Sequence, residues 1–154
     1  METIEANMKL KLDVIDKMIQ EKEEILEDFR TNQRNKLNQT STDDIDNKQH
    51  ESKTEEVLNE LELLNHNVEI LEKEIVLVRN VPRDLNTDSV QFGSLVETDH
   101  LNLMVAAAHE AMKVDGKSVL GISTAAPIFS KMRGLSKGDT FEVNGTKHTI
   151  KAIS

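Results

Sequence analysis

The sequence contains no cysteine, no tryptophan and no tyrosine in 154 residues. Without cysteine there is no disulfide, no thiolate metal site and no cysteine nucleophile. Four phenylalanines are the whole aromatic complement, too few for the stacking platforms that hold single-stranded nucleic acid. Cations are also short. Lys and Arg number 19 against 28 Asp and Glu, a formal net charge of -9, which argues against general attraction to phosphate backbones. No apolar run approaches the roughly 20 residues of a membrane span. Met1-Glu2-Thr3-Ile4-Glu5 carries neither the basic nor the apolar region of a signal peptide. A cytoplasmic protein without membrane contact is expected. The 2 prolines and 6 glycines all lie beyond residue 81, so nothing before that point breaks a helix.

That uninterrupted part holds two segments with helical apolar spacing. In the first, from about Thr3 to Leu37, the stripe runs Met8, Leu12, Ile15, Ile19, Leu26, Phe29. Lys22 fills one interrupted layer, and Ile4, Met18 and Ile25 widen the stripe. In the second, Val57, Leu61, Leu64, Val68, Leu71, Ile75 and Val78 alternate by four and three without a gap. This is the seam of a coiled coil, and it stops before Pro82. From Arg30 to Glu56 only Leu37 and Ile45 are apolar, so that stretch buries no face and forms a protruding tip or loop. Pairing Phe29 with Val57, Leu26 with Leu61, Ile19 with Val68, Ile15 with Leu71, Leu12 with Ile75 and Met8 with Val78 keeps every midpoint beside Asp43. Lys22 then faces Leu64. The pattern predicts an antiparallel hairpin bent at Asp43, each arm about 50 Å long. Such seams also form dimers; a monomer with an intramolecular hairpin is the expectation.

Past the hairpin the period changes. Pro82 to Ser89 reads as a linker. Val90–Val96 and Leu101–Val105 alternate like half-buried strands, and a third strand is expected around Ser118 to Ser123. Ala125 to Met132 reads as a short helix with Pro127 in its first turn, ended by Gly134. Phe141-Glu142-Val143, then Asn144-Gly145, then His148 to Ile153 carry the signal of a β-hairpin with a type I′ turn. The expected division is a helical hairpin over 1–81, a linker over 82–89 and a small α+β domain over 90–154. Met104, Met112 and Met132 read as core filler. The five histidines show no metal-ligand spacing, and His66 falls outside the seam of the second helix.

This order of parts resembles the bacterial Gre transcript cleavage factors. The resemblance rests on Phe92-Gly93-Ser94 with Val96, on Gly121-Ile122-Ser123 with Ala126-Pro127-Ile128, and on Gly134-Leu135-Ser136-Lys137-Gly138-Asp139. Ala126 stands where that family usually has serine. At the tip, Asp43-Asp44-Ile45-Asp46-Asn47 resembles the family's D-x-x-E-N, with Asp46 in place of glutamate. The resemblance implies an antiparallel coiled-coil hairpin followed by a small FKBP-like antiparallel-sheet domain with a short helix. It also implies a partner, bacterial RNA polymerase, docked through Ala125-Ala126-Pro127-Ile128, with the hairpin tip inserted in the secondary channel. The chain would not be an enzyme alone; it would stimulate the polymerase's own cleavage of backtracked RNA, which it meets only within that complex.

The tip chemistry has a physical rationale. Mg²⁺ takes oxygen ligands, keeps several waters and is commonly held by one or two carboxylates plus phosphate. Two-metal hydrolysis needs charge supplied at the reacting centre. Asp43 and Asp46, three apart, would share one face if the tip forms a helical turn, so they are the candidate pair for assisting a polymerase-bound Mg ion, with Asp44 in support. No cofactor is expected on the chain alone. Equally, acids before a helix cap it and suit its dipole. Arg30, Arg34, Lys36, Lys48 and Lys53 flank the tip and are candidates for touching RNA or the channel wall, or are simply solvated. Two other functions stay open: a non-cleaving occupant of the channel, and an FKBP-like prolyl isomerase using Phe92, Phe129 and Phe141.

Overall fold

A computed structural model describes residues 2–42 and 48–154, with side chains over 4–38 and 54–154. The fold is α+β. Two long helices, α1 (Glu2–Thr42) and α2 (Lys48–Arg79), precede β1 (Leu95–Thr98), β2 (Asn102–Val105), β3 (His109–Val114), β4 (Lys117–Ile122), α3 (Pro127–Met132), β5 (Thr140–Val143) and β6 (Thr146–Ile153). These elements form two compact units: Glu21–Ile75, and Met1–Gln20 together with Val76–Ser154.

The unit Glu21–Ile75 is an antiparallel helix pair within one chain. Leu26, Val68, Leu71 and Ile75 are buried at its seam, with Phe29 packed against them. Its register differs from the one expected. Lys22, expected opposite Leu64, puts its ammonium 3.3 Å from a Glu74 carboxylate oxygen. Arg30 pairs with Glu72 at 3.0 Å, Gln33 donates to Asn65, and Lys36 pairs with Glu60. The arms are displaced by about three helical turns from the expected pairing. Seam positions recur on average every 3.5 residues, so a slip of three seam steps returns apolar residues to apolar layers. The heptad pattern identifies the buried faces but leaves the register to be settled by tertiary contacts.

The other unit joins Met1–Gln20 to Val76–Ser154. The start of α1 carries a second buried row, Leu10, Val14 and Met18, beside the seam residues Ile15 and Ile19. With Val78 and Val81 they cover Leu95, Met104, Met112 and Val119 on one face of the sheet. The opposite face packs Val96, Leu103, Val105, Ile122 and Ile150 against Phe129 and Met132 of α3. Neighbouring residues Leu95 and Val96 point to opposite clusters, as do Leu103 and Met104, as strand geometry requires. Both faces of the sheet are therefore covered, and the three methionines named above are in the core. Each such side chain contributes roughly 1.5–3 kcal/mol when fully buried.

The strand order is β3-β4-β2-β1-β6-β5. All neighbours are antiparallel except β2 and β4, which pair in parallel with Leu103 against Leu120 and Val105 against Ile122. The sheet is mixed rather than wholly antiparallel, because the chain leaves β2, makes the edge strand β3 and returns as β4. The sequence reading missed β3. A register shift between His109 and Met112 breaks its alternation, and a bulge of that kind hides a strand from period-two reading. The turn that closes it, Asp115-Gly116 with φ of 51° and 79°, is the Asp-Gly hairpin signal that would have found it. The expected strand over Val90–Val96 begins only at Leu95, because Gly93 (φ 90°) turns the chain. The Ser94 hydroxyl oxygen accepts the Gln91 N–H at 3.0 Å in that turn.

The β1–β2 turn faces β6 through Asp99, whose Oδ1 accepts the Thr149 N–H at 2.9 Å. That N–H holds the Asp99 carboxyl below its ordinary pKa, with a smaller contribution from His100 and some opposition from desolvation. A depressed carboxylate stabilises the fold above its unfolded pKa, and the contribution is lost as pH falls through the folded value. We expect Asp99→Ala to lower the melting temperature at about pH 7 and to match wild type more closely near pH 2.5. A difference that does not shrink on acidification would contradict this role.

Candidate functional site

Three places carry the residues singled out by sequence. The first is the connection between α1 and α2. Asp43, Asp44 and Asp46 stand there in the chain but lie outside the described residues, as do the side chains of Lys48 and Lys53. What the structure does place are the arm residues leading to them. Arg30 is engaged by Glu72, Arg34 by Glu27 at 3.2 Å and Lys36 by Glu60. These cations form an ion-pair ladder with the hairpin's own acids, and exposed pairs of this kind contribute about 0–1 kcal/mol each. The observed register does not centre on Asp43, so the pairing argument for that position does not hold; α1 ends at Thr42 and α2 begins at Lys48, and the bend expected at Asp43 lies outside the described residues. Among the described residues no group of three or more His, Asp or Glu is arranged to hold a metal, and no helix is long and apolar enough to cross a membrane.

The second place is the loop entering α3. Ala126 is the N-cap residue, with φ -67° and ψ 138° and no side-chain cap. A serine here would supply an oxygen to an orphan helix N–H, whereas alanine cannot. Its own N–H donates to the Ser123 carbonyl at 3.1 Å, and Pro127 occupies the first helical turn, where its missing N–H costs nothing. Phe129 and Met132 anchor the helix in the core. Ala126 and Ile128 pack partly on the same cluster, leaving Ala125 and Pro127 exposed. The loop is thus a small apolar surface fixed from beneath.

The third is the turn from α3 to β5. Gly134 and Gly138 take φ of 79° and 92°, which suits glycine. Gly134 N–H donates to the Val90 carbonyl at 2.9 Å, and Gly138 N–H to Ile150 at 2.9 Å. Asp139 closes the turn by accepting the Ser136 N–H at 2.8 Å. Together with Gly93 and Gly121, each glycine quoted from the motifs sits where the backbone or its neighbours demand one.

Solved structures similar to this chain include two of one protein. One is the crystal structure of GreA factor homolog 1 (Gfh1) protein of Thermus thermophilus, 19% identical over 91% of this chain and 92% of that one, with a TM-score of 0.34. The other, a structure of the transcription factor Gfh1, is 18% identical over 94% of this chain and 92% of that one, with a TM-score of 0.30. No protein-family model and no curated protein matches the sequence.

The aromatic residues do not form an isomerase-like cup. Phe129 and Phe141 are buried in the core, 6% and 7% exposed, and Phe141 stacks on His148 with ring centroids 5.2 Å apart. Phe92 is half-buried against the other cluster. The sequence reading missed Lys11, which is 2% exposed and lines a cavity beneath the loop before β1. A single lysine within a helical period reads as a solvated charge, and no local signal marks it otherwise.

Proposed function

We propose that this chain is a Gre-type transcription factor that binds bacterial RNA polymerase and presents the α1–α2 connection to its secondary channel. The observation that carries this reading is the coincidence of the family-like motifs with structurally demanding positions. Gly93 turns the chain into β1, Gly121 has no room for a side chain, and Gly134 and Gly138 shape the turn behind α3. The antiparallel helix pair that precedes the sheet supports the same reading.

In this proposal the exposed Ala125 and Pro127, backed by Ile128 and the N-cap Ala126, dock on the polymerase. Asp43 and Asp46 assist the polymerase-bound Mg ion, with Asp44 supporting, and orient hydrolysis of backtracked RNA. Charge is supplied where it develops, at a centre the polymerase already holds. The chain acts as a monomer and performs no reaction alone. A non-cleaving role in the same channel is the second reading, favoured by Asp46, whose reach is one methylene shorter than the family's glutamate.

Docking is tested by binding of the full chain to purified bacterial core polymerase. Ala125→Glu places a charge on the proposed contact without touching the buried side of α3. We expect it to weaken binding by roughly tenfold or more, whereas Asp43→Asn leaves binding within about threefold. Undiminished binding by Ala125→Glu would remove this loop from the interface.

A further inference from the structure

The loop between α2 and β1 roofs a cavity of about 450 Å³, lined among others by Lys11, Pro82, Asp84, Asp88, Phe92 and Ser94. That volume lies toward the small end of the roughly 300–1,000 Å³ usual for ligand sites. Lys11 comes from the buried side of α1 and its Nζ donates to the Asp84 carbonyl at 3.1 Å. An ammonium has three protons to donate, and this is its one hydrogen bond among the described residues. A buried charge with a single neutral acceptor is costly. Burial accordingly lowers its pKa, against the opposing pull of Asp84. Ser94, 1% exposed, accepts the Gln91 N–H through its hydroxyl oxygen, which leaves the hydroxyl proton to donate.

These donors ask for an anionic group, yet the lining also includes the acidic residues Asp84 and Asp88. A dianion such as phosphate would meet two acids for one cation. A molecule with one carboxylate and one ammonium matches both signs. Pro82, Leu85 and Phe92 add apolar wall for a hydrocarbon side chain.

We propose that this cavity binds a free α-amino acid with an apolar side chain. Its carboxylate meets Lys11 and Ser94, and its ammonium meets Asp84 and Asp88. The site is independent of the polymerase reading, since none of its lining belongs to the docking loop or the tip.

The test is a titration of the full-length protein, followed by amide resonances of Gly93 and Ser94, with L-leucine and separately with L-phenylalanine. We expect saturable shifts with at least one of them below about 10 mM. The matching amino-acid amide and N-acetyl derivative each bind roughly tenfold more weakly or worse, since each lacks one charge. Lys11→Met abolishes the response. Asp88→Asn, a surface change that leaves the core untouched, weakens it several-fold and serves if Lys11→Met does not fold. Absence of saturable shifts with both amino acids would overturn the proposal. So would equal binding of the amide, or of the N-acetyl derivative, or an unchanged affinity in Asp88→Asn.

Discussion

A fragment spanning residues 90–154 is expected not to fold by itself, although its strands and α3 are all present. Residues 2–20 and 76–81 supply Leu10, Val14, Ile15, Met18, Ile19, Val78 and Val81 to the core beneath one face of the sheet. Without them Leu95, Met104, Met112 and Val119 face water. At roughly 1.5–3 kcal/mol for each buried apolar side chain, the loss is on the order of 10–20 kcal/mol. Typical domains have about 5–15 kcal/mol of net stability. The fragment should give a poorly dispersed amide spectrum and no cooperative urea transition, while the full chain gives both. A cooperative transition in the fragment would mean that the start of α1 is dispensable to the sheet.

The second large effect is expected at Gly121. A Cβ added there would sit 2.6 Å from the Ala107 carbonyl oxygen, 2.7 Å from His109 Cβ and 2.9 Å from Met18 Cε. The methionine end can swing away; the carbonyl and the β-carbon cannot without moving β3. Gly121 pairs with His109 across one edge and with Met104 across the other, so the strand has no free side toward which to shift. Overpacking of this kind typically costs about 1–3 kcal/mol and occasionally more. Gly121→Ala is placed near the top of that range, and Gly121→Val beyond it. The urea midpoint of the full chain measures this. A midpoint for Gly121→Ala indistinguishable from wild type would show that β3 yields without cost.

Much of this was legible in the sequence, and the parts that were not share a cause. The two helices, the seam of α2, α3 behind Pro127 and the Asn144-Gly145 hairpin are local patterns, and local patterns survive in one dimension. Register between the arms is not local. Lys22 meets Glu74 rather than Leu64 because a repeating seam accepts several slips. Leu10 and Val14, in one row with Met18, were obscured by the first stripe, since Lys11 and Lys17 interrupt that row. Lys17 in fact donates to the Lys113 carbonyl at 2.7 Å, and Lys11 is buried. Strand β3 was hidden by its bulge, although Asp115-Gly116 announced its turn. Of the candidate site, the loop entering α3 was legible as a helix start. The arm cations Arg30, Arg34 and Lys36 were singled out, but their ion pairs depend on the register and could not be read. Asp43, Asp44 and Asp46 remain a reading of residue type and position.

The most direct test of the central claim is cleavage of the RNA 3′ segment in backtracked complexes of purified bacterial RNA polymerase. The account predicts that the wild-type chain accelerates cleavage and that Asp43→Asn combined with Asp46→Asn removes roughly tenfold or more of that acceleration, with polymerase binding retained. Equal stimulation by the double variant, or no stimulation by the wild type, would contradict it.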